Sequence, residues 1–196
     1  MAAGTADPAT VDLLLREARS YPGYTDRPVS DETLHAIWDL MKWGPTSANC
    51  LPARIFFLRS PEAKDRLKPA LSATNIEKTL AAPVVALIAH DLRFFENLPK
   101  LFPAAPARDW FDGKPHAEIT AFRNGTLQGA YFLIAARAVG LDCGPMSGFD
   151  NAVVDQEFFP DGRLKSNFLC NLGYGDEASL KPRTPRLDFD EACTVL

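Results

Sequence analysis

Three short stretches of this chain combine small polar side chains, glycines and cations in ways that suit a polar ligand. The first is the joint "GPTSANCLP", Gly44 to Pro52. Thr46, Ser47 and Asn49 offer hydroxyls and an amide there, and a close turn also frees backbone N–H groups. The second is "CGPMSGFD", Cys143 to Asp150. Gly144, Pro145 and Gly148 make a tight bend that presents the N–H groups of Ser147 and Gly148, just after Met146, to a flat ligand. The third is a scattered basic set: Arg19 beside Ser20, Lys78 shortly after Asn75, and Lys181 with Arg183. Several such cations converging on one phosphate would match its oxygens, arginine forks best of all. Taken alone, each joint is also an ordinary turn and each cation an ordinary surface charge.

Other chemistries leave no signature. There is no G-x-G-x-x-G, no P-loop, no H-E-x-x-H and no G-x-S-x-G. The histidines, His35, His90 and His116, are far apart and suggest neither a metal site nor a catalytic base. Cys50, Cys143, Cys170 and Cys193 lack C-x-x-C or metal-type spacing and read as reduced thiols of a cytoplasmic protein. A net charge of -4 over 196 residues argues against nucleic acid as a partner. No apolar run reaches the roughly 20 residues of a membrane span, and the start "MAAGTADPAT" lacks the basic and apolar regions of a secretory signal.

The elements that must position these residues follow from periodicity. Asp7-Pro8 caps a first helix with Val11, Leu14, Leu15 and Ala18 on one face. Ser30 caps a second, whose buried stripe is Leu34, Ile37, Trp38 and Met41. "RIFFLRS" is a strand. A helix starts at Ser60-Pro61 and runs through Leu67, and "SATNIEKTLAA" forms another. Pro83 to His90 is a continuous apolar run, the mark of a central strand buried on both faces. Asp91 to Lys114 is an irregular segment suited to a lid or an interface. Glu118 to Val139 is the longest helix, apolar almost all round its second half (Ala130, Leu133, Ile134, Ala138, with Phe122 earlier), and Gly140 takes its left-handed cap. A Gly/Pro turn, a short helix near Val153 to Phe158, the strand "SNFLCNLGYG" and an extended tail complete the chain. Helices around one small sheet make a single α+β domain over residues 1–196.

Taken in this order, the joints resemble the flavin-dependent nitroreductase family over nearly the whole chain. The resemblance is carried by Pro28–Leu34, Met41–Ile55, Ala121–Asn124, Gly140–Asp150 and Thr184–Arg186, and is nearest to a short subgroup of malonic semialdehyde reductases. It implies a small, mainly antiparallel sheet surrounded by helices, an intertwined homodimer, and FMN at the subunit interface. It also implies ping-pong hydride transfer from NAD(P)H through flavin N5, with no catalytic side chain. Pro45, Thr46, Ser47 and Asn49 would line the partner's FMN. Asn75 and Lys78 would meet the isoalloxazine edge, where a cation stabilises charge on the reduced ring. Met146, Ser147 and Gly148 would face N5, Asn124 would make a polar contact with the partner chain, and Lys181 and Arg183 would hold phosphate.

Two departures from the family pattern stand out. Of its opening R-x-S-x-R/K motif only Arg19 and Ser20 fit, and Pro22 stands where a cation is expected; Ser147 replaces a common Glu. The implied reaction reduces a small aldehyde acid such as malonic semialdehyde, its carboxylate met by Arg123 or Arg108. The alternatives are a general nitroaromatic or quinone reductase, and a flavin-binding dimer without turnover.

Overall fold

The computed structural model describes residues 4–196. Its centre is a four-stranded antiparallel sheet of β1 (Ala53–Leu58), β2 (Val84–Asp91), β3 (Asp142–Met146) and β4 (Leu164–Gly173), in the order β1-β2-β4-β3. β2 is central and buried at every position, as its unbroken apolar run requires. β1 and β3 are the edges. The chain enters through α1 (Pro8–Val11), capped by the Asp7 carboxylate on the Thr10 N–H (3.1 Å), which continues as a π turn over Asp12–Arg16. Then come α2 (Asp31–Met41), α3 (Pro61–Asp65), α4 (Ala73–Ala81), α5 (Leu98–Leu101), α6 (Ala117–Ala138), α7 (Asn151–Phe158) and α8 (Phe189–Ala192).

Two cores form, one on each face of the sheet. Val84, Ala86 and Ile88 of β2 pack with Leu34, Ile37 and Met41 of α2 and with Phe132, Ala135 and Ala136 of α6. Val85, Leu87 and Ala89 pack on the other face with Leu67, Ala70, Val154 and Leu169. α4, which carries Asn75 and Lys78, is pinned by Lys64. Its Nζ donates to the carbonyls of Leu80 (2.7 Å) and Ala82 (2.8 Å), closing a helix end that has no amide partners of its own.

The structure departs from the sequence expectations at five places. Asp142–Met146 is a strand, not a turn. Pro145 lacks an amide proton and so suits an edge strand, which needs hydrogen bonds on one side only. α1 and its π turn bury no residue fully: Leu15 is exposed, and Val11, Leu14 and Ala18 are only half-buried within one chain. Trp38 is 42% exposed beside its buried stripe neighbours. The helix after Pro61 ends at Asp65, short of Leu67.

The fifth departure is in α6: Phe132, Ala135 and Ala136 of its second half join the core as expected, but the buried positions before them, Asn124, Gly125, Gln128 and Gly129, are small or polar. Gly125 lets the helix lie against β2, since a Cβ there would sit 2.8 Å from the His90 Cβ. Phe122, Ala130 and Ala138 face outward instead. The Asp91–Lys114 segment has its own core of Phe94, Phe95, Leu98, Ala107 and Phe111, closed by Cys50 and Ala121. It is a packed lobe.

Candidate functional site

The first corner of the site forms where β3 ends. Ser72 and Asn75, at the start of α4, face the backbone of Gly148. The Ser72 N–H donates to the Gly148 carbonyl (3.0 Å), and so does the Asn75 Nδ2 (2.9 Å). An added Cβ at Gly148 would strike Asn75 Nδ2, so glycine is required for the approach. Thr79 Oγ1 donates to Met146 Sδ at 3.5 Å, which ties α4 to β3 one turn further on. The sheet thus brings Asn75, Lys78, Met146, Ser147 and Gly148 together from two distant parts of the chain. Asn171 also belongs here, although no local pattern singles it out. It is fully buried, and its Nδ2 donates to the Lys78 carbonyl (3.0 Å), clamping α4 against β4.

The second corner lies at the start of β3. Ser20 forms a parallel bridge with Cys143, and the Tyr21 N–H donates to the Cys143 carbonyl (3.1 Å). The Tyr24 hydroxyl donates to the Asn171 carbonyl (3.0 Å), and burial pushes its pKa well above the phenol range. These contacts fix the turn that carries Arg19. Arg19 donates to the Lys181 carbonyl, and Arg183 Nη2 to the Ala18 carbonyl (3.3 Å), so the C-terminal segment folds over the first one. Between them is a cavity of about 520 Å³ lined by Arg19, Arg137, Lys181, Arg183 and Arg186. No lining residue is acidic. Five cations around one cavity with no carboxylate among them suit a multiply charged anion. Arg137 and Arg186 escape sequence reasoning because each is locally an ordinary surface cation, and only the fold collects them.

The joint at Pro45–Asn49 lies elsewhere. Ala48 (φ 49°), Asn49 (φ 51°) and Leu51 (φ 39°) all take left-handed backbone, which non-glycine residues seldom do and which clusters at functional sites. The turn is held from below by α6. The Ser47 N–H donates to Asn124 Oδ1 (2.9 Å), and the Tyr131 hydroxyl donates to the Pro45 carbonyl (3.0 Å). The Leu51 N–H donates to Thr46 Oγ1 (3.3 Å) and the Ala53 N–H to Gln128 Oε1 (2.8 Å). Asn49 Nδ2 donates to the Leu101 carbonyl (2.9 Å).

Two of the residues named from the sequence have partners within the chain. Asn124 is 1% exposed, its Oδ1 taken by the Ser47 N–H and its Nδ2 donating to the Thr120 carbonyl (2.9 Å), so it positions the joint from within its own chain. Arg108 is held by Asp112 through both Nε (3.1 Å) and Nη2 (2.9 Å), whereas Arg123 is exposed and makes no hydrogen bond or ion pair among the described residues.

One chain does not bring its joint to its basic cavity. The joint leads into β1 and Gly148 follows β3, on opposite edges of the sheet, about 14 Å apart at the usual strand spacing. Along α6, Asn124 under the joint and Arg137 in the cavity are about 20 Å apart at the usual helical rise. Within one chain the joint and the basic cavity are therefore separate places.

All four cysteines are free thiols, with Cys50 pushed up to about 11 by burial. Among the described residues no cluster of His, Cys, Asp or Glu could hold a metal, and no helix is long and apolar enough to cross a membrane.

Comparison with known proteins adds four points. The sequence profile of the Nitroreductase family matches residues 15–174. A structure from Bacillus subtilis assigned as a nitroreductase superposes with a TM-score of 0.85 at 20% identity, covering 97% of this chain and 100% of that one. One from Exiguobacterium sibiricum, assigned as a nitroreductase and in complex with FMN, gives 0.85 at 19% identity, covering 99% of each chain. One from Staphylococcus epidermidis, assigned as an NAD(P)H:FMN oxidoreductase, gives 0.84 at 18% identity and 100% of both chains. At these identities the likeness concerns the fold.

Proposed function

Because this chain belongs to the nitroreductase family, we propose that it is an FMN-dependent NAD(P)H oxidoreductase that works as a cytoplasmic homodimer. The observation that carries this reading is the pairing of a five-cation cavity with the Asn75–Gly148 corner at the two ends of edge strand β3. The residues present fit FMN. Arg19, Lys181 and Arg183, with Ser20 beside them, would hold the phosphate. Asn75 and Lys78 would hold the polar rim of the ring, and Met146, Ser147 and Gly148 would lie along its inner edge.

When bound, FMN supplies the redox chemistry, taking a hydride from the nicotinamide and passing it to a second substrate. The protein's own part is positional and electrostatic. Lys78 places a cation where the reduced ring gathers charge. Gly148 keeps the approach free of side chain, and Asn75, locked to the Gly148 carbonyl, holds that wall in place. No side-chain nucleophile or acid–base pair is needed.

The homodimer completes the site. Pro45, Thr46, Ser47 and Asn49 of one copy would cover the cavity and corner of the other, with Asn124 holding that joint in shape. The surface supports such a partner. Trp43 is 81% exposed, and Trp38, Leu40, Phe122 and Leu127 are also uncovered. Leu40, Tyr131, Ile134 and Ala138 line one apolar depression between α2 and α6. An exposed apolar surface of this kind marks an interaction face. Purified protein should be yellow and dimeric, and anaerobic NADPH or NADH should bleach it. A yellow protein that neither nicotinamide bleaches would favour a flavin-binding dimer without turnover.

The acceptor we propose is a small aldehyde acid such as malonic semialdehyde, because Arg123 stands unpaired beside the Asn124-held joint. Arg123→Ala should raise the KM for the acid about tenfold or more, the worth of one charged hydrogen bond, and leave a neutral quinone unaffected. Equal effects on both would remove Arg123 from the acceptor site. Faster turnover of nitroaromatics and quinones than of the aldehyde acid would favour the general reductase.

A further inference from the structure

The geometry points to Arg137 as a phosphate ligand of the FMN site; this rests on the flavin reading above. Arg137 is in the last turn of α6 and lines the basic cavity together with Pro22. Its one hydrogen bond runs from Nη1 to the Leu14 carbonyl (2.8 Å), in the π turn. Its Nε is buried and has no partner among the described residues. The guanidinium is thus fixed at one corner, and its Nε/Nη2 edge is left unused. That edge is one of the two parallel-donor forks with which arginine grips two oxygens of one phosphate.

A cation in the last turn of a helix has an ordinary explanation in the helix dipole. That explanation accounts for the charge, but not for an unpartnered donor on a side chain that lines a cavity without any carboxylate. A buried donor without an acceptor is costly, and an incoming phosphate oxygen removes the cost. The bond to Leu14 adds a consequence: it pre-orients the fork, so little side-chain freedom is lost when the anion arrives.

The test compares FMN with riboflavin, which lacks only the phosphate, by fluorescence titration of the apoprotein. Arg137→Gln should raise the Kd for FMN about 30-fold and leave that for riboflavin within about twofold. Arg137→Lys, which keeps the charge and loses the fork, should fall between. In the wild-type protein, FMN but not riboflavin should shift the Arg137 Nε–H resonance, a readout that holds even where Arg137→Gln does not fold. Equal weakening of both flavins, unchanged FMN affinity, or an unmoved Nε–H signal overturns the assignment. A wild-type protein that binds neither flavin overturns the cofactor reading itself, and the Arg137 role with it.

Discussion

Replacing Asp91 with Ala should cost about 3 kcal/mol of folding stability, with no direct effect on chemistry. The carboxylate is 1% exposed at the end of β2. It accepts from Arg54 Nη2 (2.8 Å), from Arg163 Nε (3.0 Å) and Nη2 (2.9 Å), and from the Arg93 N–H (2.9 Å). Removing it leaves two guanidinium groups facing each other. Both arginines are about a third exposed (32% and 38%), so water relieves part of the loss and the low end of the usual range for a broken buried pair applies. A urea titration measures this as a lower midpoint with an unchanged slope. A loss below about 1 kcal/mol would mean that the network is no stronger than a surface ion pair.

The same network fixes a pH dependence. Burial pushes the Asp91 carboxyl up, but the Arg163 hydrogen bonds, the Arg93 N–H and the Arg54 charge outweigh it and leave the group below its ordinary value. A depressed carboxylate stabilises the fold fully above the unfolded value, about pH 3.9, and loses that contribution as pH falls through the folded value. The Asp91→Ala protein should therefore show a flatter stability curve below about pH 4 than the parent.

Lys181→Ala combined with Arg183→Ala should weaken FMN about 100-fold and leave riboflavin nearly unchanged. Each is an exposed cation in a cavity with four others, so each charged contact is worth about 1.5 kcal/mol, the low end for charged hydrogen bonds. The parent's affinity for FMN should fall with salt and that of the double variant much less, because exposed charges are screened. Loss of riboflavin binding in step with FMN would place these residues in the fold rather than at the phosphate.

Much of this architecture is legible in the residues. Ser30 with Asp31 and Glu32, followed by Leu34, Ile37 and Met41, specifies α2, and the apolar run from Val84 specifies a central strand. Gly140 sits at φ 83°, in the left-handed region its place after α6 requires. β3 is hidden because its sequence, with Gly144 and Pro145, has weak strand preference; pairing with β4 and the Ser20 bridge make it a strand. The left-handed turn at Ala48, Asn49 and Leu51 contains no glycine to announce it and is held by Asn124 and Tyr131 from a distant helix. The face of α6 misleads for a related reason. Close contact with the sheet selects glycine and amides that hold the joint and β1 on the inside, so several larger apolar residues, Phe122 and Leu127 among them, are left on the outer surface. The members of the basic cavity are visible one by one, but their convergence depends on the C-terminal segment folding back over Ala18.

The central claim is that each cofactor site is assembled from two copies of the chain, and a mixed dimer tests it most directly. One copy carries Lys181→Ala and Arg183→Ala. The other carries Ser47→Trp, tolerated in its own fold because Ser47 is exposed, but bulky where it would cover the partner's cavity. The FMN content of the purified mixed dimer is then measured at a concentration that saturates the parent and neither variant homodimer. If the two half-sites come from different chains, the mixed dimer contains one intact site and one doubly defective site, and it should bind one FMN per dimer. If each chain forms its own site, both sites are defective, and the mixed dimer would bind none.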